Sequence, residues 1–473
     1  MKRLNLAVSA IALSMLLPVM TSCKSDASPF DMFASSTKEK GKATVQLRLL
    51  VEETRAGEMA TSEECEIKKV TILVFNEKEE LELNKTVSVF AGNNTVSLEG
   101  SNGLKTIYAI AAKSNVNPGV GMSITDYENS IFTSTLPNLM TEDGFVMVGK
   151  SVEQQVINSV SEEDIPSSNI FDIKLVRLVA KAQVKCENID GSSFGINFGT
   201  ASFKACQLSE RMRVKHNGSD VFASYVDGNH NGTYDYYSLR ENGSYINSVT
   251  AFSAEECEYM SENIVSKPVS GNTTFLSIRF ATTPVKYYTF DSSDLSVKSL
   301  DETPSASTTY YAVAIQDQTT GVVDYALDNT NKHIITFKNK VDAENYMNSL
   351  NNGDASTITV SQYDTPLKVA SRSEQVTSMP NFEVITFQDG YVYYRVNIAH
   401  QDTSGDADKT TIKVVRNKFY KVNINSVKSL GFSSESLLRP SNPNAVLDAQ
   451  GHSWISANVT VADWDEVKQN VDL

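Results

Sequence analysis

Thr44-Val45-Gln46-Leu47-Arg48-Leu49, continued by Leu50-Val51, alternates apolar and polar side chains with a period of two. Successive side chains leave a strand on opposite sides, so this period predicts a β-strand with one buried face. Working outward, Glu52 to Glu64 reads as a polar loop containing Arg55-Ala56-Gly57. Val70-Thr71-Ile72-Leu73-Val74-Phe75 is nearly continuous in apolar character, as expected of a strand covered on both faces. Strands are predicted at Thr86–Leu98 and Thr106–Ala112, with turns at Asn93-Asn94 and Ser101-Asn102-Gly103. The run from Phe171 to Val184 reads as one long strand, and a domain boundary is set within it near Leu178.

The second half repeats the pattern near Thr274–Phe280, Thr309–Gln316, His333–Phe337, Gly390–Ile398, Thr411–Val415 and Phe419–Ile424. Helical periodicity is weak, with short helices expected near Ser123–Phe132 and Val341–Leu350. Many short strands separated by turn residues predict an all-β chain of sandwich domains with a few short helices. No repeat of about 20–50 residues is present, which disfavours solenoids and propellers. At 473 residues the chain has room for two or three domains. A net charge of −15 argues against a nucleic-acid partner, which calls for basic patches.

The N-terminus is a targeting segment. Lys2 and Arg3 precede an uncharged apolar run, Leu4 to Met20, and Met20-Thr21-Ser22-Cys23 then places small residues before a cysteine. That order is a secretory signal, excluded from the fold. The junction resembles a bacterial lipobox, which implies that Cys23 is lipidated and becomes the new N-terminus. The alternative is an ordinary signal peptide with a chance cysteine. Residues 24–42 read as a polar tether.

Few residues point to site chemistry. Export permits disulfides among Cys65, Cys186, Cys206 and Cys257, and the sequence does not choose between a disulfide pairing and buried thiols. Asp227, Asn229, Asn231 and Asp235, with Gly232 among them, resemble the opening of a calcium loop. Ser238 stands where the bidentate Glu belongs, so an Asn/Gly-rich hairpin tip is the competing reading. His216, His230, His333, His400 and His452 are scattered. No nucleophile elbow, P-loop or dinucleotide fingerprint occurs. No enzyme activity and no cofactor are predicted.

Two segments carry a family likeness. Tyr393-Tyr394-Arg395-Val396-Asn397-Ile398, Arg416-Asn417-Lys418-Phe419-Tyr420-Lys421-Val422-Asn423-Ile424 and Gly431 resemble the C-terminal signature of fimbrillins, the stalk subunits of Bacteroidales type V pili. Val459-Thr460-Val461-Ala462-Asp463-Trp464 and the final Asn470-Val471-Asp472-Leu473 are similar to the end of short-fimbrium stalk subunits. The resemblance implies two transthyretin-like β-sandwich domains, 56–178 and 179–473, behind a signal peptide (1–23) and a propeptide (24–55). It also implies an assembly route. An outer-membrane lipoprotein is cut between Arg55 and Ala56 by an Arg-specific or trypsin-like protease. The strand bearing Val45, Leu47, Leu49 and Val51 leaves, and its groove accepts the C-terminal strand of a neighbour.

The residues at the chain's end suit that route. Ile455, Ala457, Val459 and Val461 alternate with polar neighbours, and Trp464, Val467, Val471 and Leu473 add apolar anchors in the 453–473 segment. A vacated groove beside an unpaired sheet edge is a template for another strand. A head-to-tail contact of this kind does not close, so it yields a filament. The expected partners are copies of the chain, tip and anchor subunits, the protease, and host or bacterial surface ligands; the expected place is a cell-surface pilus. A surface glycan-binding lipoprotein, or a tip or anchor subunit, is the alternative.

Overall fold

The computed structural model describes residues 42–51, 60–89, 94–112, 118–133, 136–158, 165–215, 239–240, 243–265, 268–316, 323–328, 330–353, 358–360, 363–367, 381–401, 410–439 and 455–463. The fold is mostly β, arranged in several sheets with few helices.

The alternating stretch forms the strand Lys42–Val51. It runs antiparallel to Thr95–Ser101 on one side and parallel to Ile170–Arg177 on the other, so both of its edges are paired. The order of this sheet is Leu81–Ser88, Lys69–Phe75, Gly103–Ala111, Met147–Lys150, Ile170–Arg177, Lys42–Val51, Thr95–Ser101, with Gln154–Val156 also pairing with Gly103–Ala111. Lys69–Phe75 is buried along nearly its whole length, because it is sandwiched both within the sheet and between layers. The apolar core beneath this sheet draws on residues from Ala43 to Val179, and on Met212.

Ile170–Arg177 and Val179–Cys186 are two strands, separated by Leu178 alone, and they belong to different sheets. The single run expected from Phe171 to Val184 is therefore divided: apolar character continues through it, but the hydrogen-bonding partners change. Val179–Cys186 lies between Glu258–Ser261 and Lys418–Val427, and Ile455–Asp463 completes that sheet. A facing sheet orders Ile246–Asn247, Ile196–Cys206, Phe275–Pro284 and Tyr391–Asn397. Their shared core begins at Ala180 and includes Phe203, Ile278, Tyr394, Tyr420 and Val422.

A smaller core, built around Phe290, Val313, Phe337 and Phe382, sits under the helix Lys340–Asn352. Ala343, Tyr346 and Leu350 of that helix are buried at helical spacing, and Gly353, with φ of 79°, ends it. The other expected helix is Ile124–Asn129, whose first turn is capped by the Ser123 hydroxyl accepting from the Asp126 amide. Several predicted bounds move. Thr86–Leu98 resolves into Leu81–Ser88 and Thr95–Ser101, and the strand near His333 is only Thr336–Phe337.

Candidate assembly site: the first strand, its groove and the terminal strand

The inward face of Lys42–Val51 consists of Ala43, Val45, Leu47, Leu49 and Val51, none more than 9% exposed. Burying a valine or leucine is worth about 1.5–3 kcal/mol. The walls of the groove are the two flanking strands. Leu47 stands in register with Val96 on one and Phe171 on the other. The outer face is polar: Arg48 makes two hydrogen bonds to Asp172, of 2.5 and 2.7 Å, with both side chains about half exposed. Solvent screening leaves such a pair little weight. The strand is thus held by apolar burial and by main-chain ladders on both edges.

The segment that follows the first strand is fixed by a buried ionic cluster. Ser62–Cys65 forms one helical turn closed by a capping box: the Thr61 amide donates to Glu64 Oε2, and the Glu64 amide donates to Thr61 Oγ1. The Glu64 carboxylate, fully buried, also accepts two hydrogen bonds of 2.9 Å from Lys181 Nζ and one of 2.8 Å from Tyr259 Oη. Arg177, likewise buried, donates to the Glu64 carbonyl at 2.9 Å and to Cys65 Sγ at 3.1 Å. Burial pushes the Lys181 pKa down, against the pull of Glu64. Burial and the Glu64 charge together push the Tyr259 hydroxyl up. Removing one partner of such a pair costs about 3–5 kcal/mol. Sequence reading assigned Glu64 to a polar loop and missed this role. The signal that could have found it is the Thr61-x-x-Glu64 capping pattern.

Ile455–Asp463 runs antiparallel to Lys418–Val427, with Val461, Val459, Ala457 and Ile455 in register with the buried Tyr420, Val422, Ile424 and Val427. Among the described residues it ends its sheet, with one paired edge. The residues of the C-terminal signature shape the support for it. The Tyr394 hydroxyl donates to the Ser429 carbonyl at 2.8 Å and accepts from the Gly431 amide at 3.0 Å. A Cβ on Gly431 would lie 2.6 Å from the Tyr393 carbonyl and 2.8 Å from the Tyr394 ring, so only glycine fits. In the Arg-Asn turn, Asn417 takes a left-handed φ of 57°. Buried Arg416 pairs with Glu262 and donates to the carbonyls of Val214 and Arg213.

Cys65, Cys186, Cys206 and Cys257 carry reduced thiols. Burial, with Glu187 nearby, pushes Cys186 up to about 11. Burial, partly opposed by Lys181, pushes Cys257 up to about 12. Neither is a ready nucleophile. Cys23, Arg55, Ala56, Trp464, Val471, Leu473 and the calcium candidates Asp227, Asn229, Asn231 and Asp235 lie outside the described residues. Among the described residues no group of acidic, His and Cys side chains is placed to hold a metal.

Residues 43–180 match the model of the major fimbrial subunit protein FimA family, and residues 385–470 match that of the type IV major fimbrial subunit, fimbrillin, C-terminal region. The first match holds nearly all of the first strand and both of its flanking strands; the second holds the tyrosine-rich signature and the whole of Ile455–Asp463. The chain belongs to the fimbrillin family. It is accordingly a pilus subunit of the cell surface, with a structural rather than a catalytic task. No curated protein sequence matches this fimbrillin. Among solved structures it is similar to a fimbrilin from Porphyromonas gingivalis W83, at 15% identity and a TM-score of 0.46, covering 90% of this chain and 99% of that one. It is also similar to a putative cell adhesion protein from Parabacteroides distasonis, at 13% identity and a TM-score of 0.43, with the same coverage of each chain. The C-terminally truncated tip fimbrial protein Mfa3 of Porphyromonas gingivalis matches at 14% identity and a TM-score of 0.39, again over 90% of this chain and 99% of that chain.

Proposed function

We propose that this fimbrillin is a stalk subunit that polymerises by strand exchange. It is exported as a lipoprotein on Cys23 and is cut after Arg55, with one water added across the Arg55–Ala56 peptide bond. Residues 24–55 then leave, and the C-terminal segment of a neighbour, within 453–473, takes the place of the first strand. Residues 56–178 and 179–473 serve as the two modules of the mature subunit.

The observation that carries this reading is the position of Lys42–Val51. It is a two-edged interior strand, buried on one face, and Arg55 follows four residues after its end in the sequence. Its departure leaves two unpaired ladders and an apolar floor, which is the demand that a donated strand meets. The donor's side of the exchange is favourable for the same reason. Among the described residues Ile455–Asp463 has one paired edge, and it would gain two in the groove. The strand's alternation of apolar and polar residues matches that of the strand it would replace.

Electron microscopy of the purified protein before and after trypsin tests the proposal. Filaments are expected only after cutting, and Arg55→Ala should remain a folded monomer. Normal filaments from Arg55→Ala would overturn the mechanism. A tip subunit or a glycan-binding lipoprotein would give no homopolymer after the same cut.

A further inference from the structure

Apolar burial and main-chain pairing hold Lys42–Val51. The Ser62–Cys65 turn shares that apolar core through Cys65, and has in addition a buried ionic cluster of its own. Its partners do not come from the first strand's own neighbours alone. Lys181 is in the Val179–Cys186 strand, at the centre of the sheet that Ile455–Asp463 completes. Tyr259 is its register partner on Glu258–Ser261, and Phe419, whose ring lies 5.1 Å from Lys181 Nζ, is its partner on Lys418–Val427. Arg177 reaches from the last strand of the first module to the Glu64 carbonyl and to Asn417 Oδ1 at 3.4 Å. Asn417 in turn donates its amide to the Val179 carbonyl at 2.8 Å.

We propose that the Glu64–Lys181–Tyr259 cluster, backed by Arg177, is an anchor that keeps residues 61–66 seated once the chain ahead of them is cut, so that proteolysis frees one strand and no more. This rests on the strand-removal reading and adds to it a named positioning device. A cut ahead of residue 61 turns this segment into a chain end, and chain ends fray unless they are tied down. Fraying here would loosen the backbone at Lys68 and Lys69, both substrates for a trypsin-like enzyme, and would unravel the edge of Lys69–Phe75. An ionic anchor suits the task because its contacts to Lys181 and Tyr259 are made away from the departing strand and add to what remains of the shared apolar core. Glu64 keeps the same partners on the second module whether the groove is full or empty.

The test is hydrogen exchange, read by mass spectrometry, on the full chain before and after limited trypsin, for wild type, Glu64→Gln and Tyr259→Phe. Tyr259→Phe keeps the ring and leaves no charge unpaired, so it serves if Glu64→Gln fails to fold. In cut wild type, the amides of 61–66 should stay protected and the new N-terminus should stay at Ala56. In cut Tyr259→Phe, exchange there should rise roughly tenfold, the scale of one hydrogen bond. In Glu64→Gln, trimming should proceed to Lys68 or Lys69. Equal protection in all three cut proteins, or no protection in cut wild type, would overturn the anchor. Release of residues up to Arg55 is read separately, by mass after gel filtration. Retention of that piece would count against strand removal, while the contrast between wild type and variants would still decide the anchor.

Discussion

Leu47→Ala, set against Leu50→Ala, measures how much of the first strand's hold comes from its inward face. Leu47 is fully buried, whereas Leu50, on the opposite face of the same strand, is 47% exposed. A buried leucine cut back to alanine loses about 2–5 kcal/mol, the spread reflecting how well neighbours collapse into the gap. Val96 and Phe171 flank Leu47 in rigid ladders, so the site has little freedom to collapse and the upper half of that range is expected. Leu50→Ala should stay within about 0.5 kcal/mol, as exposed substitutions do. Urea unfolding of the uncut protein, followed by circular dichroism, reads the difference. With an m-value near 3 kcal/mol/M, the Leu47→Ala midpoint should fall by about 1.2–1.7 M and that of Leu50→Ala should hardly move. Equal losses from the two substitutions would refute a one-faced anchorage. After trypsin and release of the strand, both variants should unfold like wild type. A persisting deficit in Leu47→Ala would show that the strand had stayed.

Two further outcomes are expected. Glu128 is pulled upward by burial but more strongly downward by hydrogen bonds from Lys215, Tyr108 and Lys150, and its pKa is held to about 2 from an ordinary 4.5. Its contribution to stability is therefore full above pH 4.5 and fades as pH falls toward about 2. Glu128→Gln should be less stable than wild type at neutral pH, and the gap should close across that window in acid-titrated urea unfolding. Gly431→Ala places a methyl group 2.6 Å from a carbonyl oxygen, and should cost about 1–3 kcal/mol by thermal or urea unfolding; wild-type stability in that variant would contradict the close packing of Tyr394.

The sequence showed which residues of the first strand face the core, because a period of two is a local property and survives any partner. It did not show that the strand pairs in parallel with Ile170–Arg177, since that partner lies more than a hundred residues away and nothing in either stretch names the other. A boundary near Leu178 was set from the sequence, but the run was read as one strand; that it is two strands in different sheets was hidden for a related reason, because apolar residues on both sides satisfy either sheet. Glu64 was misread because a buried carboxylate looks like a surface one until its cation, 117 residues on, is brought to it. The tyrosine-rich signature was legible as a family likeness. Its physical reason, a hydroxyl seated over a glycine backbone, needed the fold.

Leu178 also sets how the subunit carries load. Tension along the chain passes from Ile170–Arg177 to Val179–Cys186 through that one residue, with no slack loop between the sheets to pay out. Val179–Cys186 is laddered to a parallel neighbour, Lys418–Val427, which stays in place when the first strand is removed. A pull along a strand so held strains its hydrogen bonds together, in shear, rather than opening them one after another like a zip. The junction between the two sheets is thus a stiff tie, able to pass force from one into the next without first lengthening.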